Sequence, residues 1–191
     1  MNRRKVFFQL KTEKLDFQML RQIAEIIPFY ALLIILKLFN FEKRVVLGGI
    51  FLKWILPKVP KFSKRIKKNI KLVFSEKNDR QIKEFISVNS EMIGRSFIEL
   101  MYNSDFQKKS DRIIYKKQEL LPIIEAKKKL KPVIIISGHI GSWEAVRAVL
   151  KMNNLNSGAL YQKNHNRFYE KLHLKAIKAG GEPIFQVSPS G

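Results

Sequence analysis

The chain contains no cysteine, and that one absence removes disulfides, thiolate catalysis and cysteine-ligated zinc together. Acidic residues are scarce. Among 191 residues, 16 Asp and Glu stand against 37 Lys and Arg, a net charge of +21. That excess sets a strong positive field, so the expected partners are anionic: nucleic acid, an anionic membrane surface, an acidic protein or a phosphorylated substrate. Histidine occurs only at positions 139, 165 and 173, with no His-Glu-x-x-His spacing and no second carboxylate cluster, so no metal site is expected. A long uncharged apolar run is also missing. In "IIPFYALLIILKLFNF", residues 26–41, 13 of 16 residues are apolar, but the charge-free part ends at Leu36. That is short of the roughly 20 residues a spanning helix needs. The opening "MNRRKVFFQLKTEK" is basic, yet its apolar stretch stops too soon for a secretory signal. There are no internal repeats and no low-complexity linker.

What is present begins with a second apolar stretch, "VVLGGIFLKWIL", ending at Leu56. The two stretches read either as membrane-surface helices and a docking hairpin, or as buried core helices. Directly after them, Lys53 to Lys71 holds eight cations and no anion, with Pro57 and Pro60 breaking helix. A polybasic flank beside apolar helices is a membrane-surface pattern. It is also what a solvated basic loop or a nucleic-acid-binding segment would show, although no RNA-recognition, zinc-finger or helix-turn-helix signature accompanies it.

From Asn78 to Tyr102, the apolar positions Ile82, Phe85, Ile86, Ile93, Phe97 and Leu100 recur at helical spacing, and Asn78 or Asp79 can cap the start. "ELLPIIEAKKKLK" predicts a short helix stopped by Pro132. The period then changes. Val133 to Ile136 is a β-branched run with no polar face, expected to be a strand buried on both sides. "WEAVRAVLKMN" reads as helix, "SGALYQ" as strand, "NRFYEKLHLKAIKAGG" as helix and "EPIFQV" as strand. The alternation predicts an α/β fold: N-terminal membrane-associated helices over 1–71, then a mostly parallel sheet flanked by helices over 72–191. Functional groups in such sheets sit at the carboxyl ends of strands, and His139 is expected just past one.

His139 and Glu144 are the candidate catalytic residues. A histidine base benefits from a carboxylate that fixes its tautomer and stabilises the imidazolium. On one helix, positions i and i+5 do not share a face. The spacing works if His139 lies on a strand-to-helix turn permitted by Gly141, with Glu144 in the first helical turn. No serine or cysteine nucleophile stands beside the pair, which suits general-base activation of a substrate hydroxyl. The alternatives are a strand-end histidine bonded to backbone and a glutamate that serves only the helix N-terminus. Trp143 reads as a core or substrate-wall aromatic.

These residues sit in a wider pattern. "VIIISGHIGSWEAVRAVL" resembles the first block of the bacterial lipid A biosynthesis acyltransferases, the lauroyl and myristoyl transferases of the lysophospholipid acyltransferase superfamily. Gly138, His139, Ile140, Gly141, Trp143 and Glu144 match, and Ser142 replaces the usual Asn. Upstream, Arg65, Asn69, Phe74 and Glu76 match a second segment, with Ser75 in place of Pro. Downstream, Tyr161 and Asn166 match a third, with Gln162 in place of Arg and Arg167 in place of Pro. The resemblance implies the acyltransferase fold and catalysis by His139 and Glu144. It also implies substrate contacts at Gly141, Trp143, Tyr161, Lys163 and Asn166, and no cofactor. The implied reaction moves a fatty acyl chain from acyl carrier protein, an acidic partner, to a hydroxyl of a phosphorylated glucosamine lipid, at the cytoplasmic face of the cell inner membrane. A glycolipid or glycerol-phosphate acceptor, or a non-enzymatic nucleic-acid-binding protein, are the competing readings. Members of the family run longer, so the chain is expected to be truncated at its C-terminus, with a partner for "PIFQV" supplied by further sequence.

Overall fold

Apolar spacing, two asparagine caps and two prolines set the order of the first helices. A computed structural model describes residues 17–109 and 112–187, so the basic segment 1–14 and the final four residues lie outside the described residues. Helix α1, Phe17–Leu36, starts well before the apolar stretch and continues through Pro28. Its 20 residues span about 30 Å at ~1.5 Å per residue. The expectation of a segment too short to span is therefore corrected, because by length and composition α1 could cross a membrane. The apolar count missed the polar first turns that the helix recruits.

Asn40 accepts a bond from the Lys43 amide at 3.0 Å and so caps α2, Phe41–Ile55. Pro57 sits in a short 3₁₀ turn, and Pro60 opens α3, Pro60–Val73, where a missing N–H costs nothing. Helix α4, Asp79–Met101, begins with a capping box in which Asn78 and Gln81 exchange bonds of 3.0 Å. Small residues let α2 and α4 approach closely. A Cβ at Gly94 would lie 2.8 Å from the Gly48 carbonyl oxygen and 2.9 Å from the Gly49 Cα.

The main core cluster joins Leu33 and Leu36 of α1, Phe41 and Val45 of α2, and Ile98 of α4 to Tyr102, Phe106 and Ala148. The Tyr102 hydroxyl donates to the Leu33 carbonyl and pins α1 to the end of α4. One stripe of α1 and one of α2 are thus core. The opposite face leaves Ile27, Ile34, Ile35, Ile50, Phe51 and Trp54 exposed.

The remaining elements are α5, Asn103–Phe106; a 3₁₀ turn, Lys117–Leu120; α6, Leu121–Lys128; α7, Ala145–Met152; β1, Ala159–Gln162; α8, Arg167–Lys178; and β2, Ile184–Val187. β1 and β2 pair in parallel, in register from Ala159 with Ile184 to Gln162 with Val187, and α8 makes the crossover. The fold is therefore mostly helical α/β with a two-stranded parallel sheet among the described residues.

One expected strand is corrected. Val133 to Ile136 takes no regular secondary structure and joins no ladder, and Ile134 and Ile136 are 88% and 93% exposed. A β-branched run favours extended backbone by itself, whereas a strand needs a hydrogen-bonding neighbour. β1 and β2 satisfy each other, and no backbone hydrogen bond reaches residues 133–136 among the described residues. His139 therefore follows an unpaired, irregular segment rather than the end of a sheet strand.

Candidate active site

The turn before α7 carries His139, Gly141, Trp143 and Glu144. Gly141 adopts φ +67°, a left-handed conformation that side chains disfavour, and a Cβ there would meet nothing within 4 Å. The requirement at this glycine is thus conformational rather than steric. Its carbonyl accepts a 2.7 Å bond from the Ser96 hydroxyl, which ties the turn to the C-terminal part of α4. His139 is exposed and stands edge-on to Trp143, with ring centroids 5.6 Å apart.

Glu144 points the other way, into the protein, and is only 7% exposed. Its Oε2 accepts from Asn103 Nδ2 at 2.9 Å and from an Arg147 guanidinium nitrogen at 3.1 Å. Arg147 also donates to the Ile177 and Gly181 carbonyls at 2.8 and 2.7 Å, and Asn103 donates to the Ala176 carbonyl at 2.9 Å. The carboxylate therefore joins the start of α7 to α5 and to the end of α8. Gly180 leaves it room, since a Cβ there would collide with Oε2. Burial raises the Glu144 carboxyl above its ordinary value of 4.5, against the opposing pull of Arg147 and Asn103. No hydrogen bond joins Glu144 to His139 in this arrangement; the partners of Glu144 are Asn103 and Arg147.

Tyr161, Lys163 and Asn166 form a second group at the end of β1 and the start of α8. The Tyr161 hydroxyl donates to Glu170 Oε1 at 2.9 Å, and the Asn164 amide and side chain donate to Glu170 Oε2 at 3.0 and 2.9 Å. Asn164 also meets His173 Nδ1 at 3.0 Å, and the His173 ring stacks on Tyr169. Glu170, also 7% exposed, is held below its ordinary value because these bonds outweigh the upward push of burial. His173 is lowered by burial, opposed by Glu170.

Asn166 has structural work on both ends of its side chain. Its Oδ1 caps α8 by accepting from the Phe168 and Tyr169 amides, and its Nδ2 donates to the Gln22 carbonyl of α1 at 2.8 Å. Lys163 is exposed. The two groups share a floor, because Trp143 and Tyr161 both pack against the cluster of Leu100, Ala176 and Ile177. Sequence reasoning had left out Ser96, Asn103, Arg147 and Glu170. Ser96 and Asn103 carried a signal, since they are polar positions seven apart on the apolar stripe that runs through α4 into α5.

Residues 11–177 match the bacterial lipid A biosynthesis acyltransferase family. The chain belongs to that family. Neither a curated protein nor a solved structure gives a significant match to it. Membership makes this a lipid A biosynthesis-type acyltransferase in general terms, acting between an acyl donor and a lipid acceptor. His139 is a solvent-facing imidazole on a turn tied to α4 through Ser96 and to α5 through Glu144.

Proposed function

We propose that this acyltransferase moves a fatty acyl chain from acyl carrier protein to a hydroxyl of a phosphorylated glucosamine lipid, with His139 as general base. The imidazole takes the proton of the acceptor hydroxyl as its oxygen attacks the acyl carbonyl. When the carbon–carrier bond breaks, the protonated imidazole returns that proton to the carrier's leaving group, so the histidine ends as it began. The observation that carries the reading is an exposed His139 at the head of the family-matched turn, with a buried carboxylate five residues on. Glu144 is the carboxylate proposed to orient the imidazole. Glu144 bonds to Asn103 and Arg147, so the proposed pairing with His139 requires a rearrangement of the turn between them.

Gly141, Trp143, Tyr161, Lys163 and Asn166 complete the proposed substrate surface. Trp143 and Tyr161 offer walls over a common apolar floor, Lys163 offers a cation to substrate phosphate, and Asn166 holds the α8 terminus that frames it. Residues 1–71 are proposed as the membrane-associating part and 72–191 as the catalytic part, working at the cytoplasmic face of the inner membrane. The exposed apolar faces of α1 and α2 and the cations of α3 support that placement.

His139→Ala should cut acyl transfer at least ~100-fold, the scale of a lost general base. The side chain is exposed, so thermal unfolding should barely change. Wild-type turnover in that variant would remove the reading.

A further inference from the structure

A cavity of about 690 Å³ opens between the end of α2, the turn after it, α3 and the first half of α4. It is remote from the proposed base. Ser96 touches the Gly141 turn, and Ile86, on the cavity wall, lies ten residues earlier on α4, roughly 15 Å along the axis. The floor is apolar, made by Ile82, Ile86 and Trp54. The rim is cationic. Lys53 and Lys67 are neutralised by Glu91 and Asp79, each at 2.9 Å. Lys58, Lys64 and Lys83 are exposed and make no salt bridge among the described residues.

An apolar cleft of this size, under the exposed ammonium groups of Lys58 and Lys64 and that of Lys83, which Asp79 partly offsets, is complementary to an amphiphile with an anionic head. Nucleic acid would meet the lysines but leave the apolar floor unused. An acidic protein would find too little flat surface to bury. Trp54, 67% exposed, and the neighbouring Ile50 and Phe51 continue the apolar surface outward along α2, so a chain leaving the cleft stays on apolar ground. We propose that this groove binds the headgroup and proximal chain of a single anionic phospholipid, at a site separate from the one that transfers acyl groups. It stands on the groove's own residues and does not depend on the reaction proposed above.

The test uses the full chain carrying Trp143→Phe, which leaves Trp54 as its one tryptophan. Dihexanoyl phosphatidylglycerol, kept below its micelle concentration, should give a saturable change in Trp54 emission with one lipid per chain. Dihexanoyl phosphatidylcholine, inorganic phosphate and glycerol phosphate should each bind at least about tenfold more weakly. Lys58→Glu, Lys64→Glu and Lys83→Glu together should weaken phosphatidylglycerol by about tenfold or more, and the corresponding Gln triple less so in the same direction. These lysines are exposed, and an unchanged unfolding midpoint checks that the variants fold. Equal binding of phosphatidylcholine, binding of phosphate as tight as that of the lipid, or unaltered affinity in the charge-reversed variant would each overturn the assignment. Loss of acyl transfer on His139→Ala with Trp54 binding intact separates this site from the catalytic proposal.

Discussion

Glu144 and Glu170 expose equally little surface, 7% each, but Glu144 is set deeper among protein atoms, and its carboxyl is raised where that of Glu170 is lowered. Glu144 is held by Asn103, 41 residues away, and by Arg147, one helical turn on, and burial still raises its carboxyl. Glu170 sits within one short stretch of chain, where Tyr161 and Asn164 deliver three hydrogen bonds, and its carboxyl is lowered. The difference teaches that depth and hydrogen bonding together decide how a buried carboxylate behaves, since each group accepts three bonds and the deeper one is still raised. A turn that folds back on its own helix can saturate a carboxylate cheaply. A joint between distant elements leaves the charge more poorly solvated, and so available to a new partner. The turn that carries His139 is built on the second kind of joint, and the β1–α8 corner beside it on the first.

Removing each carboxylate breaks the comparison most directly. Glu144→Ala leaves the Arg147 guanidinium without its counter-ion and Asn103 without one of its acceptors. Stripping one partner from a buried pair costs about 3–5 kcal/mol. Arg147 keeps the Ile177 and Gly181 carbonyls, so the lower end is expected, read as a fall in the denaturation midpoint. Glu170→Ala strands the Tyr161 hydroxyl and two Asn164 donors that are only partly buried, and about 2 kcal/mol is expected. If Glu170→Ala proved the more damaging of the two, the β1–α8 corner would be the critical joint and the ranking would reverse.

The same contrast explains what the sequence could and could not disclose. The helices at 79–101 and 167–178 and the strands at 159–162 and 184–187 follow from periodicity, caps and short β-rich runs, all of which are local. Gly141 and the Asn78 cap were readable for the same reason. The Asn103 partner of Glu144 was not, because it lies 41 residues away, and neither was the bond from Arg147 to a carbonyl 34 residues on. Nor could Val133–Ile136 be read correctly. Its β-branched composition specifies extended backbone, but whether a neighbour pairs with it is a property of the whole sheet. The helix pattern of 78–102 placed Ile82, Ile86 and Leu100 in the core, yet Phe85 on the same pattern is exposed beside Phe74.

A smaller effect sharpens the picture at the corner itself. Asn166→Ala removes the cap of α8 and the link to Gln22 of α1. Loss of an N-cap costs about 1 kcal/mol. If Asn166 only caps and braces, the Michaelis constant for the acceptor should stay constant while stability drops. A raised Michaelis constant that Asn166→Asp restores together with the cap would instead make it a positioning residue for substrate.

The smallest expected signal lies in the pH dependence of stability, where the two carboxylates oppose each other. Glu170 has a folded-state value below 4.5, so the folded protein holds on to its ionised form. The stability it contributes is present above 4.5 and is lost as the pH falls through the lowered value. Glu144 is raised above 4.5, so ionisation works against the fold. Its contribution is complete below 4.5 and is lost as the pH rises through the raised value. His173 is lowered from 6.5, chiefly by burial beside Tyr169, and so weakens the fold on acidification, as Glu170 does. Denaturant titrations from pH 3.5 to 7 should therefore show partly cancelling slopes around pH 4.5. In Glu170→Gln, part of the acid-side loss disappears. In Glu144→Gln, the decline on the alkaline side of 4.5 disappears. Slopes that change in the same direction in both variants would mean that the two carboxylates share one environment, and the contrast between joint and corner would fall.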